Sequence, residues 1–134
     1  MNNAIQYLID IAHQMGIRIE WCDSFDPYTP PASSTKYHSI VMNTNWHKPK
    51  EMVFQLAHEI AHIINHDDCE IAFYHASFAS HELIEKEANI GAIRLLLHIY
   101  KETTNELNII DFMEKFSIPH YLLDNVYKVM KSSN

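Results

Sequence analysis

Residues 50–65 of this 134-residue chain read KEMVFQLAHEIAHIIN, and their pattern predicts a helix. Asn45 and Pro49 lie just before this stretch, where they favour the entry to a helix. His58 and His62 are four residues apart, so their side chains leave one face of that helix, one turn apart. The apolar residues recur at helical spacing and predict a face that packs into a core; they are Met52, Val53, Leu56, Ile60, Ile63 and Ile64.

The pentapeptide His58-Glu59-Ile60-Ala61-His62 fits the HExxH pattern, whose spacing lets two imidazoles reach one tetrahedral zinc ion. Hydrolytic zinc sites use three protein ligands and a water molecule, and the glutamate beside the first histidine can accept a proton from that water. We therefore expect one zinc ion per chain, with His58 and His62 as ligands and Glu59 as the general base. The alternative is an ordinary polar helix face in water.

A third metal ligand has to come from elsewhere in the chain. A metzincin would continue the motif with glycine at 65 and histidine at 68, but this chain has Asn65 and Asp68 there, which excludes that class. A carboxylate from a later helix is the other option, and both Glu85 and Glu87 are available. We prefer Glu85 because Asn89 then lies at i+4 on the same face; Glu87 stays an alternative.

Further polar residues are candidates for supporting roles. His66 continues the four-residue spacing from His62 and is expected to be a surface histidine at the helix end; the alternatives are a group that supports a metal ligand and an alternative metal ligand. Tyr74, His75 and His81 lie between the two ligand segments, and each is a candidate donor to the oxyanion formed during peptide attack.

The remaining chain predicts an α+β fold that is mostly helical, with residues 1–134 as one domain. Only two glycines argue against a many-stranded barrel or sandwich. We expect a helix at 4–15 ended by Gly16, strands at 17–22 and 37–43, a Pro/Ser-rich loop at 24–36, and a helix from Ser80 to about Tyr100. Residues 69–79 stay open between a short helix and an irregular segment.

Two short helices are expected at 107–116 and 121–130. They form a C-terminal helical pair, at about 105–131, that follows a core region at about 4–100. Their apolar and aromatic residues are expected to be core; they are Phe112, Met113, Phe116, Tyr121, Leu122, Val126 and Val129.

Charge and apolar content exclude several function classes. The formal net charge of −7 disfavours a nucleic-acid-binding surface, which needs clustered cations. No apolar run approaches the ~18 residues of a membrane span, and the N-terminus lacks the features of a signal peptide, so we expect a cytoplasmic protein. Cys22 and Cys69 are expected to be reduced thiols.

The sequence resembles the ImmA/IrrE-type zinc metallopeptidases. The resemblance rests on HEIAH at 58–62, the preceding strand YHSIVMN, and the later pattern Glu85-x-Glu87-Ala88-Asn89-x-x-Ala92 with Leu95-Leu96. It implies a zincin-like cleft with a short β-sheet at one edge, ligands His58, His62 and Glu85, and Glu59 as the base.

The resemblance also implies a biological role. Such proteins are often carried by phages and mobile elements or serve stress responses, and they cleave or relieve a DNA-binding repressor, here expected to be of helix-turn-helix type. The chain departs from the family pattern at three positions, with Ala61 in place of glycine, Gly91 in place of an aromatic residue, and His98 in place of proline. Alanine at 61 is small and is expected to be harmless. The absence of proline at 98 bears on the length of the last long helix, the cleft rim and substrate selection, and not on the metal site.

Two other functions stay open on the sequence alone. One is a metal-containing anti-repressor that binds and sequesters its partner protein without hydrolysis. The other is a metal-free helical interaction protein, which would require the histidine and glutamate spacings to be coincidental.

Overall fold

The computed structural model describes residues 2–66 and 78–133, in which helices pack against a small sheet. Helix α1 (Asn2–Gln14) leads into strands β1 (Arg18–Cys22), β2 (Ala32–Ser34) and β3 (Ser39–Asn43), and a short 3-10 turn (Pro49–Glu51) enters α2 (Met52–Ile64). Then follow α3 (Phe78–Thr103), α4 (Ile109–Lys115), a second 3-10 turn (His120–Leu122) and α5 (Leu123–Ser132). The predicted α+β class with a mostly helical chain is confirmed.

The sheet has three strands in the order β1-β3-β2. The two predicted strands form its parallel pair, with Ile19 opposite Ile40, whereas β2 runs antiparallel to β3, with Ser33 also opposite Ile40. The prediction of a structureless loop at 24–36 was wrong at β2. Three residues are too few for a readable alternation, and β2 forms because β3 offers a second edge to pair with.

The loop before β2 is fixed by one buried amide. The Asn43 side chain is fully buried, and its Nδ2 donates to the carbonyls of Asp26 and Thr29 at 2.8 and 2.9 Å. Its Oδ1 accepts from the backbone N–H of Asn45 at 2.8 Å. Because every polar atom of this side chain is paired, it holds the loop against the end of β3.

Helix α2 has the predicted position and buried stripe. Val53, Leu56, Ile60 and Ile63 are all buried, and the helix stops at the Asn65 cap. His66 follows with a φ of 60°, the left-handed conformation that commonly ends helices.

Helix α3 crosses α2 at very close range. A Cβ atom placed on Gly91 would lie 2.8 Å from the Cβ of Ala61, so the two helices can approach this closely only because residue 91 has no side chain. Two of the positions that depart from the family pattern therefore face each other across the helix pair.

The C-terminal helices share one apolar core with the rest of the chain. Phe112, Phe116 and Val126 are buried in the same cluster as Leu8 of α1 and Leu96 of α3. The predicted core position of Tyr121 was wrong, because this side chain is 77% exposed.

Two further observations concern the chain as a whole. None of the helices in the described ranges is long and apolar enough to cross a membrane. Cys22 is a free thiol, and Cys69 lies outside the described residues.

Candidate metal centre

The two histidines of α2 meet at their outer ring nitrogens. His58 Nε2 and His62 Nε2 are 3.1 Å apart, and the rings stand almost perpendicular, at 85°. The helical spacing predicted this proximity, and the buried face of α2 fixes the backbone from which both side chains project.

Glu85 of α3 completes a three-membered group. Its Oε2 lies 2.9 Å from His62 Nε2, and its Oε1 lies 3.3 Å from His58 Nε2. Hydrogen bonds from His58 and His62 hold the pKa of the half-buried Glu85 carboxyl far below its usual range. The carboxylate is therefore ionised and aimed at both rings.

These donor atoms fit a tetrahedral metal ion. Ligand bonds of about 2.0–2.2 Å place neighbouring donor atoms of a tetrahedron about 3.3–3.6 Å apart, close to the 2.9–3.3 Å separations here. Each Nε2 carries at most one proton, so two protons cannot fill all three close contacts as hydrogen bonds. Lone pairs that converge in this way are suited to a cation.

Two buried atoms beside this group have no hydrogen-bond partner. They are His58 Nδ1 and Gln55 Oε1, one helical turn apart on α2. Buried polar atoms are nearly always paired. If His58 held a cation through Nε2, its ring proton would lie on Nδ1, where it is available to an acceptor.

Glu59 also lies beside the histidines, but it is buried, whereas Glu85 is only half-buried. Glu59 is 7% exposed, and one of its carboxylate oxygens lies within 4.8 Å of ring nitrogens of His58 and His62. Burial raises the pKa of Glu59, while the Ser33 side chain, by hydrogen bonding to the carboxylate, and the two nearby histidines partly oppose this rise. Such a carboxylate takes up a proton more readily than a solvated one.

Ser33 is a site residue that sequence reasoning missed, because residues 24–36 predicted only a loop. It lies on β2, which packs beside α2, and it reaches the carboxylate that the motif singles out. No local pattern marks this serine; the pairing of β2 with β3 puts it there.

The structure brings Glu85, and not Glu87, to the histidines. Glu87 is exposed, whereas Glu85 lies on the face of α3 that continues into the buried Ala88 and Ala92. The sequence does carry this phase, since Glu85, Ala88 and Ala92 are spaced as one helix face. Asn89 lines the same cleft as Glu85.

A cleft of about 630 Å³ opens in front of these groups. Pro30 and Pro31 line it from the segment before β2, and the turn between α4 and α5 adds Ser117, Pro119 and Tyr121. The exposed Tyr121 is thus a cleft residue.

The other candidates lie elsewhere. His66 is exposed at the end of α2, and His81 is exposed and does not line the cleft. Tyr74 and His75 lie outside the described residues.

An HExxH helix, a carboxylate from the following helix and a small sheet beside them are the features of a metallopeptidase. The family model described as the IrrE N-terminal-like domain, a peptidase family, matches residues 8–127. The chain belongs to this family, which confirms the resemblance found in the sequence. Searches of the curated proteins and of the solved structures gave no match.

Proposed function

We propose that this chain is a zinc-dependent endopeptidase whose substrate is a DNA-binding repressor of helix-turn-helix type. The observation that carries the proposal is the convergence of His58, His62 and Glu85 beside the buried Glu59, at a cleft large enough for a peptide segment. Membership of a peptidase family supports the reaction class.

In this proposal the side chains have separate roles. His58, His62 and Glu85 hold the zinc ion, which when bound supplies a Lewis acid that activates water and polarises the scissile carbonyl. Glu59 accepts a proton from the attacking water at its carboxylate and then delivers a proton to the leaving amine. Ser33 keeps the Glu59 carboxylate in place by its hydrogen bond.

The central test is the Glu59→Gln variant, which keeps the size of the side chain and an oxygen that can accept from Ser33. We expect about one zinc per chain by plasma mass spectrometry in both wild type and Glu59→Gln, and loss of zinc in a His62→Ala control. Peptide cleavage should fall by at least ~100-fold in Glu59→Gln, because general acid–base catalysis is lost. Wild-type cleavage rates in Glu59→Gln would remove Glu59 from the mechanism.

The substrate can be sought with the same pair of proteins. New protein N-termini are labelled in cells producing wild type or Glu59→Gln, and termini that appear only with wild type mark cleavage sites. We expect a repressor among them. If Glu59→Gln relieves repression as fully as wild type does, the protein acts by sequestering its partner without hydrolysis.

A further inference from the structure

Three of the side chains that line the cleft are acidic. Glu51, Glu59 and Glu85 line it, and among its described lining residues there is no lysine or arginine. Its apolar lining residues are Phe54 and the prolines Pro30, Pro31 and Pro119. A segment bound there would meet negative charge beside apolar contact.

Glu51 occupies a defined place relative to the metal group. It precedes His58 by seven residues, two helical turns, so it lies on the same side of the helix about 10 Å away along the axis. Trp46 Nε1 donates to Glu51 Oε1 at 2.9 Å, which fixes the carboxylate and leaves Oε2 free to accept. Phe54 lies between Glu51 and His58 on this side.

Glu51 differs from Glu59 and Glu85 in how its negative charge is balanced. A divalent cation held by His58, His62 and Glu85 would offset the charges of Glu85 and Glu59. Glu51 has no ion pair with any lysine or arginine in the described parts of the chain, and it is half-buried. A partly desolvated carboxylate of this kind is stabilised by a cation supplied from outside.

We propose that Glu51 selects substrate segments that carry lysine or arginine near the scissile bond. This inference rests on the proposed function. An extended peptide advances about 3.3 Å per residue, so the ~10 Å from His58 to Glu51 corresponds to about three residues. The cationic residue lies within about three positions of the scissile bond, and an apolar side chain between them contacts Phe54.

The experiment measures binding separately from hydrolysis. The zinc-loaded Glu59→Gln protein is immobilised, a library of random decapeptides is passed over it, and the retained peptides are sequenced. Three proteins are compared, namely the Glu59→Gln parent and the same protein with either Glu51→Gln or Glu114→Gln added. The Glu51→Gln change keeps a side-chain oxygen that can accept from Trp46, and thermal unfolding checks that all three proteins are folded.

The Glu114 variant is the matched control. Glu114 is exposed on α4 and does not line the cleft, so its removal changes the net charge by the same amount without touching Glu51. We expect lysine and arginine to be enriched about 3–10-fold over the input in the parent and in Glu114→Gln, and not in Glu51→Gln. No enrichment in the parent, or enrichment that survives Glu51→Gln, overturns the proposal.

Hydrolysis of the same library by the wild type, read by mass spectrometry, tests the proposed function on its own. Selective binding without hydrolysis would leave the role of Glu51 in place and remove the peptidase activity. Hydrolysis without a sequence preference that depends on Glu51 would support the peptidase activity and remove the proposed role of Glu51.

Discussion

Two glutamates at one site have opposite pKa shifts, and their surroundings explain why. Glu59 is buried, so its charged form loses hydration and its pKa rises. Glu85 receives hydrogen bonds from two histidines, so its charged form is favoured and its pKa falls. A base that must take up and release a proton benefits from the first environment, and a metal ligand that must stay ionised benefits from the second.

Tyr100 also has a shifted pKa, and its side chain connects α3 to α4 by a hydrogen bond. Its side chain is only 1% exposed, and its O–H donates to Asp111 Oδ2 at 2.8 Å. Burial and this hydrogen bond raise the pKa of Tyr100, because both favour the neutral phenol.

The Tyr100→Phe variant should therefore lose about 1.5–3 kcal/mol of unfolding free energy at neutral pH, the value of a hydrogen bond to a charged group. The sign of the pH dependence follows from the raised pKa. The unfolded chain loses the phenol proton first, near pH 10, so this stabilisation is present below that pH and is lost as the pH rises towards the folded-state pKa.

Urea unfolding of wild type and Tyr100→Phe at pH 7 to 11 measures both effects. The two curves of stability against pH should converge at the alkaline end. Tyr121→Phe is the control, since Tyr121 is exposed, and it should follow wild type throughout. A constant difference between wild type and Tyr100→Phe at all pH values would contradict the titration of Tyr100.

At the scale of elements, the sequence predicts what local periodicity encodes. Helix α2 follows from its apolar spacing, and the position of Glu85 follows from the phase it shares with Ala88 and Ala92. Strand β2 and its Ser33 could not be predicted, because a three-residue edge strand is defined by its partner and not by its own sequence. Tyr121 was wrongly predicted to be a core residue. Helical spacing alone does not distinguish a side chain that packs into the core from one that lines a cleft.

The crossing of α2 and α3 sets the separation of the three converging side chains, since His58 and His62 project from one helix and Glu85 from the other. At this crossing Ala61 of α2 lies against Gly91 of α3. Changing Gly91 to alanine adds a methyl group 2.8 Å from a Cβ that is fixed to the backbone, so the helices must move apart.

We expect Gly91→Ala to lower the unfolding free energy by about 1–2 kcal/mol, although alanine is by itself the better helix former by about 1 kcal/mol. The double variant Ala61→Gly/Gly91→Ala moves the methyl group from one helix to the other and should recover most of this loss. Gly91→Ala alone should also weaken zinc binding, and the double variant should restore it.

Urea unfolding of the two single variants and the double variant gives their coupling energy. Non-additivity of about 1–3 kcal/mol is the expected outcome for residues in direct contact. Additive effects would mean that the two helices do not meet at these residues in solution.

At the scale of the whole molecule, the cleft is assembled from parts far apart in the chain. Pro30 and Pro31 precede β2, the histidines and Glu85 come from α2 and α3, and the 117–121 turn adds a further part of the lining. That turn is held by the apolar core shared by α3, α4 and α5. The C-terminal helical pair therefore shapes the site, and a change in its packing would alter the cleft.

Zinc binding should stabilise the whole chain. The proposed ligands His58 and His62 lie on α2 and Glu85 lies on α3, and both helices contribute to the shared apolar core. A ligand that binds only the folded state adds RT ln(1 + [L]/Kd), about 2.7 kcal/mol at a free concentration of 100 times Kd. Removing zinc with a chelator should lower the Tm of the wild type, and adding zinc back should restore it. His62→Ala should have the same Tm with and without zinc, and Glu59→Gln should respond as the wild type does, because Glu59 is not one of the three proposed ligands. An equal zinc-dependent shift in His62→Ala would place the stabilising ion elsewhere in the molecule.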